Sequence, residues 1–390
     1  MKFALPFLLI FLASLTSSYA DINFNNDWQF RKKSASWQEV QLPHTAHLEP
    51  YVSNDMWMGF CEYKKEFNFD PKWRDKKVFI NFEAAMGIAK VKLNGKLLTT
   101  HFGGYIGFQV DLSKDLKKGK NILEVELDNR ENNSYPPGKA YRRLDFSWFS
   151  GLYRNVTLEV KDKLYITNPI AAKIPAGGGI FVTYPHVTAY RSIVRVKTHV
   201  VNEHKSDQNF YVEQVLSYKG KKVQKSKSPV IKLSPKKDKH ISLNLNITGT
   251  KLWTPANPKL YTLKTRLLNS KGKLISQTSQ KIGIRHISYS AKGFMLNGKK
   301  FFQRGTNRHQ EYPYLGYAAS DEAQYRDAVK IKEAGFDIVR LSHYPQSPAF
   351  MSACDKLGLM VINCATGWQY FNGKGKFAER SLQEGRDLIR

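Results

Sequence analysis

From Asp21 to about Gly283 apolar and polar residues alternate with period two, and this pattern predicts strands rather than helices. Val78-Phe79-Ile80-Asn81-Phe82 is a short apolar run, Ala89-Lys90-Val91-Lys92-Leu93 alternates, and Ile122-Leu123-Glu124-Val125-Glu126-Leu127 alternates again. Asn94-Gly95 stands between Leu93 and the renewed run Lys96-Leu97-Leu98. A two-residue type I′ turn needs φ > 0 at both central positions, which Asn and Gly tolerate, so a hairpin is predicted here. A further strand is expected in Tyr153 to Val160. Many short strands with turn signals predict a jelly-roll β-sandwich over residues 21–161. Residues 162–283 continue in the same style. Val194 to Val200 alternates, and Tyr211 to Tyr218, His240 to Ile247 and Leu260 to Leu267 read as strands. That length fits an immunoglobulin-like sandwich of about seven strands.

After about Ile284 the period changes. Phe294 to Phe302, with Asn297-Gly298 inside it, reads as a hairpin leading into a strand. Asp321 to Ala334 has helical spacing, with Ser320 as N-cap and Gly335 as stop. Phe336 to Leu341 reads as a buried strand, Ser347 to Leu357 as a helix stopped by Gly358, Leu359 to Ile362 as a strand, and Glu379 to Arg390 as a further helix. Strands and helices in alternation with short connections signal a parallel sheet. A (β/α)8 barrel takes about 250 residues, and the span 284–390 holds only about three strands. The expected architecture is multidomain: jelly roll, immunoglobulin-like sandwich, then the first three strands of a TIM barrel, as in the front part of a larger, truncated enzyme.

The longest apolar run, Phe3 to Leu15, follows Met1-Lys2 and precedes Ser18-Tyr19-Ala20. This is the layout of a signal peptide cut after Ala20, so residues 1–20 are expected to be removed and the protein to be secreted or periplasmic. The run is shorter than the roughly 20 residues that span a bilayer, so no stable membrane anchor is expected.

Composition narrows the classes. With 42% hydrophobic and 13% aromatic residues the chain can bury sizeable cores, which excludes a disordered protein. Three dispersed cysteines, Cys61, Cys354 and Cys364, exclude a disulfide scaffold and a Cys-based zinc module. A mean hydropathy of −0.47 excludes a multi-span membrane protein. Lys and Arg number 61 against 33 Asp and Glu, a net charge of +28. The lysines read as scattered over turns, as in Lys114-Asp115-Leu116-Lys117-Lys118, and no nucleic-acid motif accompanies them. No nucleic-acid partner is expected, and the excess charge serves solubility or favours anionic surfaces or polymers.

Asp337-Ile338-Val339-Arg340-Leu341-Ser342-His343-Tyr344-Pro345, followed by Cys354-Asp355-Lys356-Leu357-Gly358-Leu359-Met360-Val361-Ile362, closely resembles a signature of glycoside hydrolase family 2, the β-galactosidase and β-glucuronidase family. Arg304-Gly305-Thr306-Asn307-Arg308-His309 resembles the segment at that family's first barrel strand. Leu252-Trp253-Thr254-Pro255-Ala256-Asn257-Pro258-Lys259-Leu260-Tyr261 resembles the end of its immunoglobulin-like domain. Val91 to Lys96 and Asp145 to Arg154 resemble its sugar-binding jelly roll.

The resemblance implies retaining hydrolysis of β-glycosides, with one Glu as acid/base and another as nucleophile about 5 Å apart. In the family these lie at the ends of the fourth and seventh barrel strands. The chain ends at Arg390, before a fourth strand, so no catalytic residue is expected among its residues and the chain alone is expected to be inactive. What the resemblance leaves here is a substrate-binding set. Arg340 and His343 close the second strand at the C-terminal face, where barrel active sites are built. Arg340 can hold a carboxylate in its fork and His343 can donate to a sugar hydroxyl. Asn307 and His309 end the first strand. Asp145 sits in a jelly-roll loop that in family β-galactosidases reaches the sugar or a bound sodium ion; a turn-capping Asp is the alternative reading.

Family β-galactosidases bind sodium or magnesium, but these residues supply no metal set, so neither metal nor cofactor is expected. After the third strand Asn363-Cys364 replaces the family's usual Asp-Glu, and Gln310-Glu311-Tyr312 departs from its usual acidic and His pattern. Trp368 suits either a sugar platform or loop packing. The implied partner is a carbohydrate substrate, with a homo-oligomer or a complementing C-terminal chain left open. The alternative function is a non-catalytic carbohydrate-binding protein that keeps the two sandwiches.

Overall fold

The computed structural model describes residues 21–48, 56–291, 293–367 and 370–389. The leader and Trp368 lie outside them. The first unit is two antiparallel sheets face to face. The six-stranded sheet runs in the order Gln38–Val40, Trp28–Lys32, Phe60–Asn68, Lys120–Asp128, Ile88–Leu93, Lys96–Phe102. The four-stranded sheet runs Ile22–Asn23, Val156–Lys161, Lys77–Phe82, Phe108–Asp111. Alternation dictates the core: Leu123, Val125 and Leu127 are buried from one strand and Val156, Leu158 and Val160 from the opposed sheet. The expected hairpin is present, with Asn94 at φ 53° and Gly95 at φ 80°, pairing Leu93 with Lys96.

The second unit is also a sandwich. One sheet contains Leu164–Ile166, Arg191–Asn202, Ile180–Val187 and Lys237–Thr248; the other contains Lys221–Lys227, Gln208–Tyr218, Tyr261–Asn269, Leu274–Ile282 and Ile231–Leu233. That is nine strand segments among the described residues, where about seven were expected. Part of the excess has a simple cause. Lys221–Lys227 and Ile231–Leu233 pair with the same strand, at Glu213↔Lys227 and Phe210↔Ile231, and form one edge interrupted at Ser228-Pro229. Proline has no N–H to continue a ladder.

The third unit begins with a small antiparallel sheet, Ile287–Ser290, Gly293–Leu296 and Lys299–Lys300. The expected hairpin is present and leads into the strand Gly305–Arg308 after an irregular stretch over residues 301–304, in which Phe302 is exposed. Phe294 and Leu296 pack with Trp253 of the second sandwich against Ile338 and Met360, at the N-terminal end of a parallel sheet. That sheet has the order Gly305–Arg308, Ile338–Leu341, Met360–Ile362. Helices Asp321–Glu333 and Pro348–Leu357 are capped by Ser320 and Ser347, whose hydroxyls accept from the N–H groups of Ala323 and Ala349. Val339 and Leu341 pack with Ala328, Phe350, Ala353 and Cys354 under these helices. A third helix, Gly375–Leu388, starts four residues before the expected Glu379, with Phe377 buried in its first turn against the rings of Tyr370 and Phe371.

Candidate functional site

Parallel register places Asn307 beside Arg340 and Arg340 beside Ile362. Side chains alternate along a strand. With Val339 and Leu341 committed to the helices, Arg340 points to the opposite face, toward the interior a closed barrel would have. Arg308 turns instead to the helix side. It donates from Nη2 to Asp327 at 2.6 Å and to Gln324 at 2.8 Å, and lies 4.0 Å over the ring of Phe350. Arg308 is therefore an anchor, and Asn307 is left exposed at the mouth.

The segments after the first two strands bring His309 and His343 together, edge to face, with ring centroids 5.4 Å apart. Nε2 of the buried His343 lies 3.0 Å from Oδ2 of Asp145, which is half exposed on its jelly-roll loop. Burial lowers the His343 pKa from its usual value, and Arg340 and His309 reinforce this while Asp145 opposes it. His343 is therefore neutral at pH 7, with Nε2–H donating to Asp145. Arg340 donates to the hydroxyl of Ser342 at 3.2 Å. The structure thus brings Asp145, His343, His309, Arg340 and Asn307 to one mouth. At the third strand, the exposed Asn363 turns its side chain back on its own loop and accepts from the N–H of Cys364 at 3.0 Å.

Several residues that hold this mouth were not singled out from sequence. Tyr344 is fully buried, stacks on Tyr105 of the jelly roll at 4.2 Å and 8°, and donates to Glu311 at 2.9 Å. Tyr105 and Tyr317 hydroxyls meet at 3.2 Å, and Tyr317 also donates to the carbonyl of Ser147. Burial pushes the Tyr105, Tyr317 and Tyr344 phenols well above the ordinary range, so they remain neutral donors. Arg154 is buried between the two units and donates to the carbonyl of Tyr105 at 2.9 Å, the carbonyl of Pro345 at 2.9 Å and Oε1 of Gln310 at 3.0 Å. It thereby clamps the segments that carry His309 and His343. Arg154 lies inside the segment Asp145 to Arg154 that carried the resemblance, but nothing local in the sequence reveals its partners.

Three family profiles match the chain: "Glycosyl hydrolases family 2, sugar binding domain" over residues 13–162, "Glycosyl hydrolases family 2" over 179–285, and "Glycosyl hydrolases family 2, TIM barrel domain" over 287–378. A β-galactosidase of Thermoanaerobacterium thermosulfurigenes is 34% identical over 381 residues, covering 93% of this chain and 51% of that protein. A β-glucuronidase of Bacteroides fragilis is 30% identical over 386 residues, covering 96% and 53%. The crystal structure of Bacteroides uniformis β-glucuronidase superposes with a TM-score of 0.86 at 26% identity, over 95% of this chain and 45% of that one. The chain spans about half the length of the curated relatives it matches. With all three of its units matched in the family's own order, the chain belongs to glycosyl hydrolase family 2.

Proposed function

We propose that the chain forms the sugar-binding front of a β-galactosidase- or β-glucuronidase-like glycoside hydrolase exported from the cytoplasm. The observation that carries this reading is the meeting of Asp145 with His343 at the C-terminal mouth of the parallel sheet. A sugar hydroxyl both donates and accepts, and it needs neighbours of both kinds. Asp145 accepts, Arg340 and Asn307 donate, and His343 orients Asp145 through its Nε2–H. Arg340 also matches a carboxylate in planar geometry, whether that of a catalytic Glu or of a uronic acid. Retaining hydrolysis places two carboxyls about 5–5.5 Å apart across the scissile bond. The carboxylates at this mouth, Asp145 and Glu311, are engaged by His343 and Tyr344, and the role proposed for these residues is to bind and orient the sugar. The names of the relatives support this reading, and the leader-like N-terminus supports export.

The test is equilibrium binding of non-hydrolysable thio-β-galactosides and thio-β-glucuronides to the chain. One of the two sugars should bind, and Asp145→Asn and His343→Ala should each weaken it about tenfold, the loss of one charge-assisted hydrogen bond. Binding that ignores both substitutions would remove the proposed site. A panel of chromogenic β-glycosides should show no turnover by the chain, and turnover would mean that its own carboxylates perform the chemistry.

A further inference from the structure

The positive charge is not scattered. Between Lys163 and Lys281 stand twenty-two Lys and Arg but only four acidic residues, Glu203, Asp207, Glu213 and Asp238. That span of the second sandwich therefore carries eighteen of the chain's net +28. Strand register shows where much of that charge goes. In the five-stranded sheet Phe210, Val212 and Leu216 point into the core, as do Leu263 and Leu267. The alternate positions of those strands face outward. Across that outer face, one row reads Lys227, Glu213, Arg266, Gln277; the next reads Lys225, Val215, Lys264, Ser279; the third reads Lys222, Ser217, Thr262, Lys281. Rows along a strand lie about 6.5–7 Å apart, and neighbouring strands about 4.8 Å.

Glu213 is the one acidic side chain in these rows, and it is buried under its partners, 2.5 Å from Lys225 and 2.6 Å from Arg266. The aromatic ring of the face, Tyr211, is buried beneath Lys227, whose ammonium lies 3.6 Å from the ring centroid. The result is a sheet face of six cations interleaved with the hydroxyl and amide side chains of Ser217, Thr262, Ser279 and Gln277.

We propose that the outer face of this sheet is a binding surface for an acidic polysaccharide. The charge calls for a polyanion, and an array spread over three rows and four strands calls for one that lies along a surface. Hydroxyl and amide side chains between the cations suit sugar hydroxyls. A single-stranded nucleic acid would need exposed rings for its bases, and Tyr211 is covered. A duplex read in its groove would need a projecting helix or ribbon, and these cations lie across paired strands within one sheet. A membrane surface would need apolar side chains to insert, and the three rows offer none beyond the half-buried Val215. The choice of a polysaccharide over other polyanions also rests on the glycosidase reading, whereas the cationic face stands without it.

The experiment is calorimetric titration of the full chain with dextran sulfate and alginate, using neutral dextran, a short DNA duplex and phosphatidylserine vesicles as comparators. The two acidic polymers separate sulfate esters from carboxylates, and binding of either supports the proposal. Lys225→Gln, Lys264→Gln and Lys281→Gln should each weaken binding roughly two- to fivefold, and the triple variant about tenfold or more, with the effect shrinking as salt rises. A control triple variant, Lys114→Gln with Lys117→Gln and Lys118→Gln, removes the same charge from the jelly roll and should bind as the parent does. Equal losses in both triple variants would reduce the effect to bulk charge and overturn the proposal. So would absence of binding to both acidic polymers, or equally tight binding of DNA or vesicles lost with the same three lysines. Thioglycoside binding at the barrel mouth should be unchanged in the face variant. Failure of that site with an intact face would sink the glycosidase reading alone.

Discussion

Asp145 and His343 meet across the boundary between the jelly roll and the barrel, with Oδ2 and Nε2 3.0 Å apart. The contact is a hydrogen bond from a neutral ring, because burial holds the His343 pKa below its usual value. Asp145 works against that shift, so its charge is measurable through the ring. In Asp145→Asn the His343 pKa should fall further, and an NMR titration of the ring protons reads it. A pKa that rose or stayed fixed would show that the two residues are not coupled in solution. Since Asp145 is half exposed, a double-mutant cycle on stability should return no more than about 1 kcal/mol.

Arg154 is the joint on which the site's geometry depends. Arg154→Met would leave the carbonyls of Tyr105 and Pro345 and the amide oxygen of Gln310 without their donor. Each unsatisfied buried acceptor costs about 1–3 kcal/mol, so a loss of about 3 kcal/mol or more is expected. Calorimetry should show the barrel segment melting at a lower temperature than the jelly roll, where the parent couples them. Arg154→Lys keeps the charge but not the fork, and should recover only part of the loss.

What the sequence made legible follows periodicity. Strands with clean alternation, such as Lys120–Asp128, and helices with polar caps, such as Asp321–Glu333, lie where the pattern put them, because local chemistry is sufficient to specify them. The third helix was placed late because no side chain caps its start at Lys374; the burial of Phe377, a tertiary effect, marks its first turn. At the site, Asp145, His309 and His343 were visible as residue types in a motif. Arg154 and Glu311 also stood in quoted segments, but their roles, like that of Tyr105, were not legible, since each acts through a partner far away in the chain. The lysines misled for a related reason: those of Lys221–Lys227 look dispersed in sequence, and only strand pairing aligns them with Lys264 and Lys281 on one face.

Two jelly-roll histidines set an acid limit on stability. Burial pulls the pKa of His44 and of His101 down to about 4. In the unfolded chain a histidine titrates near 6.5. Between those values the unfolded state binds protons at these two rings that the folded state refuses, so their contribution to stability is full above about pH 6.5 and is lost as pH drops toward 4. Burial also pushes the carboxyls of Glu83 and Glu384 up to about 7. These take up protons on folding over the same window and oppose the histidines. The histidine contribution is therefore read as the difference in melting temperature between a histidine variant and the parent. His101, stacked on Phe108 with centroids 4.1 Å apart, is the more accessible to test. His101→Gln should gain stability relative to the parent as pH falls from about 6.5 toward 4, and a difference that does not change with pH would mean that the ring is hydrated and titrates normally.

Gly358 ends the second barrel helix in the left-handed region, at φ 81°, and a Cβ there would lie 2.2 Å from the carbonyl oxygen of Pro255 in the second sandwich. Gly335 follows the first barrel helix at φ 85° with nothing within 4 Å of an added Cβ. The two positions share the backbone penalty for alanine, about 1–2 kcal/mol, and differ only in the neighbour. Gly335→Ala should cost about that much. Gly358→Ala must also push the Pro255 loop away, and with it Trp253, whose indole N–H donates to the carbonyl of Asp355 at 2.8 Å. Overpacking of this kind adds about 1–3 kcal/mol. The difference between the two alanine variants in denaturant unfolding therefore measures how tightly the sandwich and the barrel segment are pressed together. Equal costs would show that the interface yields in solution, and that Gly358 serves the helix end alone.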